Sequence, residues 1–359
     1  ATASAGLCPS ACPAGRLYWY AKRIAICPRG ESGRPLGCSV RRFPLRGALL
    51  AGRASPVQAD QLADAGVAGW LARMAAAERA HSYQGTFVYE RNGSFSTHGI
   101  WHRVEANGQV RERLLQLDGP AQEVLRVDGR PQCVSGAPAE QLADAAPLAL
   151  RQLAAEQLAG HYELRSVGES RVAGRRAVVL LMLPRDQHRY GFELHLDRLT
   201  ALPLKSLLLS EQGQLLERFQ FTQLDSLTPL SEQALRPGVS CLPIKSAVTP
   251  LTTANHWHAG WLPPGFNLLA AREQAEPAST AVLTWLMFGD GLARFSVFIE
   301  PLQGESVVNT RSQLGPTAVV SKRMPTAAGE FMVTVVGEIP PGTAERVALA
   351  MGPAQESTP

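Results

Sequence analysis

Hydrophobic residues recur with a helical period between Asp60 and His81 and with a period of two beyond Gly85. In the first segment apolar side chains stand at i, i+3, i+4 and i+7, namely Val67, Trp70, Leu71 and Met74. This spacing places them on one stripe and predicts an amphipathic helix. The alternation that follows predicts β-strands.

The strands of this region form a series separated by turn signals. Asn92-Gly93 is a strong hairpin signal because both residues tolerate positive φ. Further strands are predicted at Arg111–Leu117, Glu123–Val127, Tyr162–Val167, Arg175–Leu183 and His188–Asp197, and two hairpins follow up to Leu224, the second turning at Gln212-Gly213. Residues 137–160 are rich in Ala and Leu and are expected to form a helical excursion.

Consecutive strands of this kind predict an antiparallel sheet that curls around the first helix. Aromatic residues fall on its apolar positions: Phe87, Tyr89, Tyr190, Phe192, Phe219 and Phe221. Such a row fits either the core of the domain or the lining of an apolar cleft. We therefore assign residues 60–225 to one β-rich domain.

A second, smaller domain is expected beyond an irregular connection. Residues 226–254 are rich in Pro, Ser and Thr and are interpreted as a linker. From residue 255 to 351 the pattern predicts a hairpin turning at Gly289-Asp290-Gly291, two further strands and a final helix. This indicates a small antiparallel sheet with a helix against it, followed by a tail at 352–359.

Residues 1–59 lack either period and are interpreted as a leader or a wrongly assigned extension. Arg41–Ala59 has the outline of a signal peptide, interrupted by Arg46 and Arg53. Four cysteines lie in this segment, and Cys133 and Cys241 are the two in the rest of the chain. These two either form one disulfide in an oxidising compartment or remain separate buried thiols.

Composition excludes several classes of protein. Of the 359 residues 45% are hydrophobic and 18% charged, and the net charge of +4 comes from scattered residues, which argues against nucleic-acid binding. No apolar run approaches the roughly 18 residues of a membrane-spanning helix. The sequence has no recognised nucleophile, phosphate-loop, dinucleotide or zinc motif, so we expect a binding protein that is not an enzyme, without cofactor or metal.

Whole segments of the chain resemble the MucB/RseB family of periplasmic regulators of an envelope-stress sigma factor, most closely its pseudomonad members. The matching segments include Ser82–His98, Arg111–Gly129, Arg185–Leu209, Trp261–Phe266 ("WLPPGF"), Phe288–Pro301 and Val333–Ala348. The resemblance covers about residues 60–351.

The resemblance implies an α+β fold: a large half-open antiparallel β-barrel with helices, similar to the carriers LolA and LolB, and a smaller antiparallel α+β domain. It implies a periplasmic negative regulator that binds a MucA/RseA-like anti-sigma factor and protects it from regulated proteolysis. Lipopolysaccharide or another envelope lipid would release the complex and so control alginate production. The alternative is a periplasmic carrier of lipid or lipoprotein, and a homodimer is left open.

This scheme gives the candidate residues their roles. The six aromatic residues suit acyl chains, and basic side chains suit lipid phosphates: Arg91, Arg103, Arg111 and Arg113. Trp261, Phe266 and Arg294 are candidate contacts with the anti-sigma factor, and the alternative for the two aromatics is the core of the small domain.

Overall fold

A computed structural model describes residues 66–120, 122–135, 155–238, 240–243, 256–275, 282–304, 307–327 and 329–354. The leader with its four cysteines, the start of the predicted helix at Asp60 and most of the excursion at 137–160 lie outside these residues. The helices are α1 Val67–Ala80, α2 Ala155–Ala159 and α3 Pro341–Ala350, with a 3₁₀ helix at Glu232–Leu235.

The large domain is built on one antiparallel sheet with the order β11-β5-β4-β3-β2-β1-β10-β9-β8-β7-β6. Its strands are β1 Tyr83–Arg91, β2 Ser94–Val104, β3 Val110–Gln116, β4 Glu123–Val127, β5 Arg130–Ser135, β6 Tyr162–Val172, β7 Arg175–Pro184, β8 Gly191–Asp197, β9 Pro203–Leu209, β10 Leu215–Asp225 and β11 Leu242–Pro243. The order runs from edge to edge without closing, so the described part of the sheet is half-open.

The predicted period changes are confirmed in this domain. Asn92 and Gly93 have φ of 57° and 71°, as the turn between β1 and β2 requires. Trp70, Leu71 and Met74 of α1 are buried in the core together with residues of the large sheet. Burial of this single stripe fixes the helix, because a helix of 14 residues is marginal on its own.

The segment expected to be a linker belongs partly to the large domain, which corrects that expectation for the described residues up to Pro243. The 3₁₀ helix buries Leu235 completely, and β11 pairs with β5. A disulfide joins Cys133 to Cys241, with 5.4 Å between the Cα atoms. The lack of a hydrophobic period and the three prolines up to Pro243 hid these contacts from the sequence pattern.

The small domain has a sheet with the order β13-β14-β15-β18-β17-β16 and a separate pair of strands. Its strands are β12 Trp257–Ala259, β13 Asn267–Ala275, β14 Val282–Gly289, β15 Arg294–Pro301, β16 Thr310–Leu314, β17 Thr317–Thr326, β18 Gly329–Gly337 and β19 Met351–Pro353. The apolar face of α3, including Ala344 and Val347, packs on Val333 and Val335. Residues 352 and 353, expected in a tail, pair with β12.

These two sheets with their helices confirm the expected fold class, a large half-open antiparallel sheet over helices and a smaller α+β domain. Strand β5 and the edge strands β13 and β16 were not predicted. Every residue of β16 is exposed, so this strand carries no alternation of apolar and polar positions.

Candidate functional site

The aromatic row predicted for the large domain divides into a packed core and a more accessible end. The rings of Phe87, Phe219 and Phe221 pack on one another, with centroids 4.7–5.9 Å apart. These side chains are 1–4% exposed and belong to the main core together with α1. Their burial follows from register, because Phe87 pairs directly with Phe221 across β1 and β10.

The other three aromatic residues lie away from this cluster. Phe192 and Tyr89 are half-buried at the margin of the core. The Tyr89 hydroxyl donates a hydrogen bond to Glu217 Oε2 at 2.7 Å. Tyr190 is buried where the two domains meet, and its hydroxyl donates to the carbonyl oxygen of Ile339 at 3.3 Å. The structure therefore does not bring all six residues into one cleft.

Three of the four candidate arginines lie on the opposite face of the large sheet. On β2 the buried residues Ile100 and His102 point toward the core, so alternation turns Trp101 and Arg103 outward. Arg103 pairs across strands with Arg111, and the Arg113 guanidinium lies 5.1 Å from the Trp101 ring.

All three outward arginines have acidic partners within the chain. Glu232 of the 3₁₀ helix accepts hydrogen bonds from Arg103 and Arg111 at 2.5 and 2.7 Å, and Arg113 Nε donates to Glu123 Oε1 at 2.5 Å. The two arginines lower the pKa of Glu232 to about 2. These groups bind the connection after β10 onto the sheet, away from the aromatic row.

Arg91 is the candidate arginine that shares the face of the aromatic row. Its guanidinium reaches across to the small domain, where it bonds to the Thr317 hydroxyl and lies 3.2 Å from Glu338 Oε1. On its own domain it lies 3.5 Å from Glu217 Oε2. One cation therefore stands between carboxylates of the two domains.

Burial and the nearby charge of Glu338 raise the pKa of Glu217 to about 7, although Tyr89 and Arg91 act in the opposite direction. The Tyr89 hydroxyl has its pKa raised as well, first by burial and then by the charge of Glu217. We call Tyr89, Arg91, Glu217, Thr317 and Glu338 the Arg91 cluster.

The three residues proposed as partner contacts differ in accessibility. Phe266 is 4% exposed and packs on Phe295 in the small core, with ring centroids 5.3 Å apart. Trp261 is half-buried, and the Arg346 guanidinium lies 3.8 Å from its ring. Arg294 is exposed at the start of β15. Phe266 is thus a core residue and Arg294 is exposed, whereas Trp261 is half-buried with the His188 ring 5.1 Å away.

The sequence pattern did not predict a buried ion pair between the domains, which Arg189 and Asp290 form. Arg189, just before β8, places Nη1 2.5 Å from Asp290 Oδ2 of the β14–β15 turn, and both side chains have 0% exposure. Arg189 also binds Asp186 and donates to the carbonyl oxygen of Pro264 at 2.6 Å. The Tyr162 hydroxyl donates to Asp290 at 3.0 Å.

The hydrogen-bonding groups of this pair are well used, which is the condition for a stable buried charge. Asp290 Oδ1 accepts from the backbone N–H groups of Leu292 and Ala293 at 2.9 and 2.7 Å. Burial lowers the pKa of Arg189, but Asp186 and Asp290 outweigh it, and the pKa is raised. We call Tyr162, Asp186, Arg189 and Asp290 the Arg189 cluster.

Two glycines allow the domains to approach closely along the same contact surface, which we call the seam. Gly265 has φ of +84°, and a Cβ atom there would lie 2.1 Å from His161 Nε2 of the large domain. Gly315 has φ of +58°, and a Cβ atom would lie 1.9 Å from Asn92 Oδ1. Both positions need glycine for conformation and for space.

A row of buried polar side chains crosses the core-facing side of β2, β3 and β4. His102 Nδ1 lies 3.3 Å from Glu112 Oε2, and Arg126 Nη1 donates to Glu112 Oε1 at 2.9 Å. Burial raises the pKa of Glu112, but His102 and Arg126 outweigh burial and lower it to about 2. The Glu112 carboxylate therefore finds both of its partners, His102 and Arg126, within this row.

The described residues contain shallow grooves. One lies on the outer face of the large sheet between Gln84, Trp101, Leu117 and Asp225, and another lies on the small sheet between Arg272, Leu283, Trp285 and Phe298. Within the described ranges, no three His, Cys, Asp or Glu side chains are placed to hold a metal ion, and no helix is long and apolar enough to span a membrane.

The fold and the seam define a class of proteins in which two domains, each built on an antiparallel sheet, are joined by ion pairs. The MucB/RseB N-terminal domain model matches residues 66–239, and the MucB/RseB C-terminal domain model matches residues 252–352. The chain belongs to the MucB/RseB family.

A relative from Pseudomonas aeruginosa, the sigma factor AlgU regulatory protein MucB, is 61% identical over 305 residues, which cover 85% of this chain and 96% of the relative. The solved complex of Pseudomonas aeruginosa MucA and MucB matches at 60% identity with a TM-score of 0.72, over 81% of this chain and 99% of that chain. A crystal structure of MucB matches at 60% identity with a TM-score of 0.62, over 81% and 98%.

Proposed function

We propose that this chain binds the periplasmic domain of a MucA-like anti-sigma factor and thereby regulates the sigma factor that the anti-sigma factor holds. The observation that carries the proposal is 61% identity to a named sigma-factor regulator over nearly its whole length. A relative at 60% identity has also been solved in complex with MucA. The aligned region covers 85% of this chain in the first comparison and 81% in the second, so it includes residues of both domains.

Regulation in this proposal is negative and works by binding, without catalysis. A bound anti-sigma factor is shielded from the protease that would degrade it, so the sigma factor stays inactive. Shielding requires only that the complex is more populated than the free partner, which is a matter of affinity and concentration.

The proposed compartment is the periplasm. The disulfide between Cys133 and Cys241 supports an oxidising compartment, because structural disulfides persist there and are rare in the cytosol. Its two cysteines hold the connection after β10 on the edge of the large sheet. A relative has also been solved in complex with the periplasmic part of MucA.

We further propose that a lipid with acyl chains and phosphates, such as lipopolysaccharide, weakens the complex. Phe192 and Tyr89 are the members of the aromatic row at the margin of the core, and Arg91 is the cation on the same face. Arg103, Arg111 and Arg113 are engaged on the other face, so they drop out of the proposed lipid site. A lipid can release the partner only if it binds the free protein more tightly than the complex.

For the anti-sigma factor we propose contacts at Trp261 and Arg294 of the small domain, and we withdraw Phe266 because it is core. The experiment is titration calorimetry of the full chain with the periplasmic domain of MucA, without and with lipopolysaccharide. We expect saturable binding that the lipid weakens. Binding that is absent, while lipid binds and transfers to an acceptor membrane, would support a carrier instead.

The Phe192→Ser variant separates the two halves of this proposal, with the outward-facing Leu117→Ser as its control. We expect Phe192→Ser to bind MucA normally and to lose at least about tenfold in lipid affinity, since about 1.4 kcal/mol corresponds to a factor of ten. Equal lipid affinity in both variants would remove the aromatic margin from the lipid site.

A further inference from the structure

The seam is held at two places that lie apart on the large sheet. Arg91 belongs to β1, and Arg189 immediately precedes β8. In the sheet order these strands are separated by β10 and β9, so the two places are about 14 Å apart at the usual strand spacing. Tyr190 contacts Ile339 and Gln313 along the same seam.

Each place has one cation and two carboxylates, but the two places differ in burial and in the hydrogen bonds that the carboxylates receive. In the Arg189 cluster the cation and Asp290 are fully buried, and Asp290 receives backbone and tyrosine hydrogen bonds. In the Arg91 cluster one cation faces two carboxylates, Glu217 of the large domain and Glu338 of the small domain. With both carboxylates ionised, this part of the seam has an excess negative charge.

Among the described residues, the titratable and charged groups that face Glu217 come from β1 and from the residue after β18. Tyr89 and Arg91 face it from β1, and Glu338 faces it from the residue after β18. Its neighbour across β9 is the apolar Leu208, and Arg218 next in sequence pairs with Glu90 on the other face of the sheet. Glu217 is 19% exposed, so protons can reach it.

We propose that Glu217 is a proton-dependent latch between the two domains. A neutral Glu217 leaves Arg91 free to pair with Glu338 across the seam, so the latch is closed. An ionised Glu217 competes with Glu338 for the Arg91 guanidinium. It also repels the Glu338 carboxylate, so the latch is loosened. The Arg189 cluster holds the domains together in both states.

The direction of the effect follows from linkage. The closed seam raises the pKa of Glu217 to about 7, so the closed form binds the proton more tightly than an open form in which the carboxyl is hydrated. Closure is therefore favoured in mild acid, and this advantage is lost as the pH rises through about 7.

The test is a distance measurement by pulsed electron paramagnetic resonance. Spin labels are placed at Asn107→Cys, beyond the end of β2 that lies away from the seam, and at Ala327→Cys, between β17 and β18. Cys8, Cys12, Cys27 and Cys38 are replaced by serine in the full chain, and the disulfide between Cys133 and Cys241 is kept. No partner or lipid is added, so the result does not depend on the proposed function.

We expect one narrow distance distribution at pH 5.5 and at least about a threefold larger fraction outside that peak at pH 8.5. Glu217→Gln should stay narrow at both values, because its amide cannot ionise. Glu338→Gln removes the competing carboxylate and should also abolish the response, which covers the case in which Glu217→Gln folds poorly. Glu193→Gln, which alters a carboxylate paired with His195 away from the Arg91 cluster, should behave like the parent chain.

Two results would overturn the latch. One is a parent chain whose distances are the same at both pH values. The other is a pH response that persists unchanged in Glu217→Gln and in Glu338→Gln.

Discussion

Two arginines join the domains of this protein, and each lies between carboxylates, but their surroundings differ in burial. Arg189 and its partner Asp290 have side chains with 0% exposure, and Asp290 also accepts hydrogen bonds from the Tyr162 hydroxyl and from two backbone N–H groups. Arg91 is 30% exposed and shares its charge between Glu217 and Glu338, which are 19% and 43% exposed. Both bridges use the same cation and the same kind of anion.

The comparison shows how burial decides what an ion pair does. A buried pair is costly to form and more costly to break, because removing one partner leaves an uncompensated charge. A half-exposed pair is weakly stabilising and responds to solvent conditions. The Arg189 cluster therefore fixes how the domains meet, whereas the Arg91 cluster adjusts how firmly they meet.

The largest expected effect comes from breaking the buried bridge with Asp290→Ala. This variant leaves Arg189 charged and buried without its main partner, so the free energy of unfolding should fall by about 3–5 kcal/mol. Urea unfolding measures it, with exposed Glu300→Ala on the neighbouring β15 as control, expected to change by less than about 0.5 kcal/mol. A loss below about 1 kcal/mol in Asp290→Ala would show that the buried bridge does not fix the seam.

The second largest effect is expected from Gly265→Ala, because the added methyl group fills the space in which the small domain approaches His161 of the large domain. Gly265→Ala introduces both a positive-φ strain and a clash with His161, whereas Gly93→Ala has the same kind of φ and nothing within 4 Å. We expect Gly265→Ala to destabilise the protein by about 1–3 kcal/mol more than Gly93→Ala does. Equal losses in thermal unfolding would mean that the contact with His161 is not held in solution.

A smaller effect is expected from pH through Glu217. Its raised pKa means that its contribution to stability is complete below about pH 4.5 and is lost as pH rises through about 7. The parent chain should therefore lose about 1–2 kcal/mol relative to Glu217→Gln between pH 5 and pH 8. A difference between the two chains that stays constant over this range would contradict the assignment.

The smallest effect is expected from removing the exposed bridge with Arg91→Ala. Because its partners are partly exposed, the loss should be about 1 kcal/mol at neutral pH. Arg165→Ala, which removes an exposed pair with Glu163, serves as the control and should cost less than about 0.5 kcal/mol. A loss as large as that of Asp290→Ala would erase the distinction between the two bridges.

The sequence predicted those elements of the fold that depend on residues close together in the chain, such as single helices and tight turns. The helical stripe of Trp70, Leu71 and Met74 and the positive-φ pair Asn92-Gly93 each depend on neighbours in sequence. Alternation in β2 also indicates which way Arg103 points. Since Ile100 and His102 face the core, Arg103 must face outward, away from Phe87.

The seam had no comparable signal. Arg189 and Asp290 are separated by 101 positions, and the sequence pattern places Arg189 at a polar position of a predicted strand and Asp290 in a predicted turn. Gly265 and Gly315 read as turn glycines, and only the folded chain shows His161 and Asn92 against them. Contacts between domains depend on how two finished surfaces meet, which periodicity within one strand cannot encode.

The central claim is that this chain restrains a sigma factor by shielding its anti-sigma factor. The most direct measurement is the rate at which the periplasmic domain of MucA is cleaved by its regulated protease as this chain is added. We predict that the rate falls in proportion to the fraction of MucA bound, as determined by calorimetry under the same conditions. Cleavage at an unchanged rate when MucA is saturated with this chain would contradict the account.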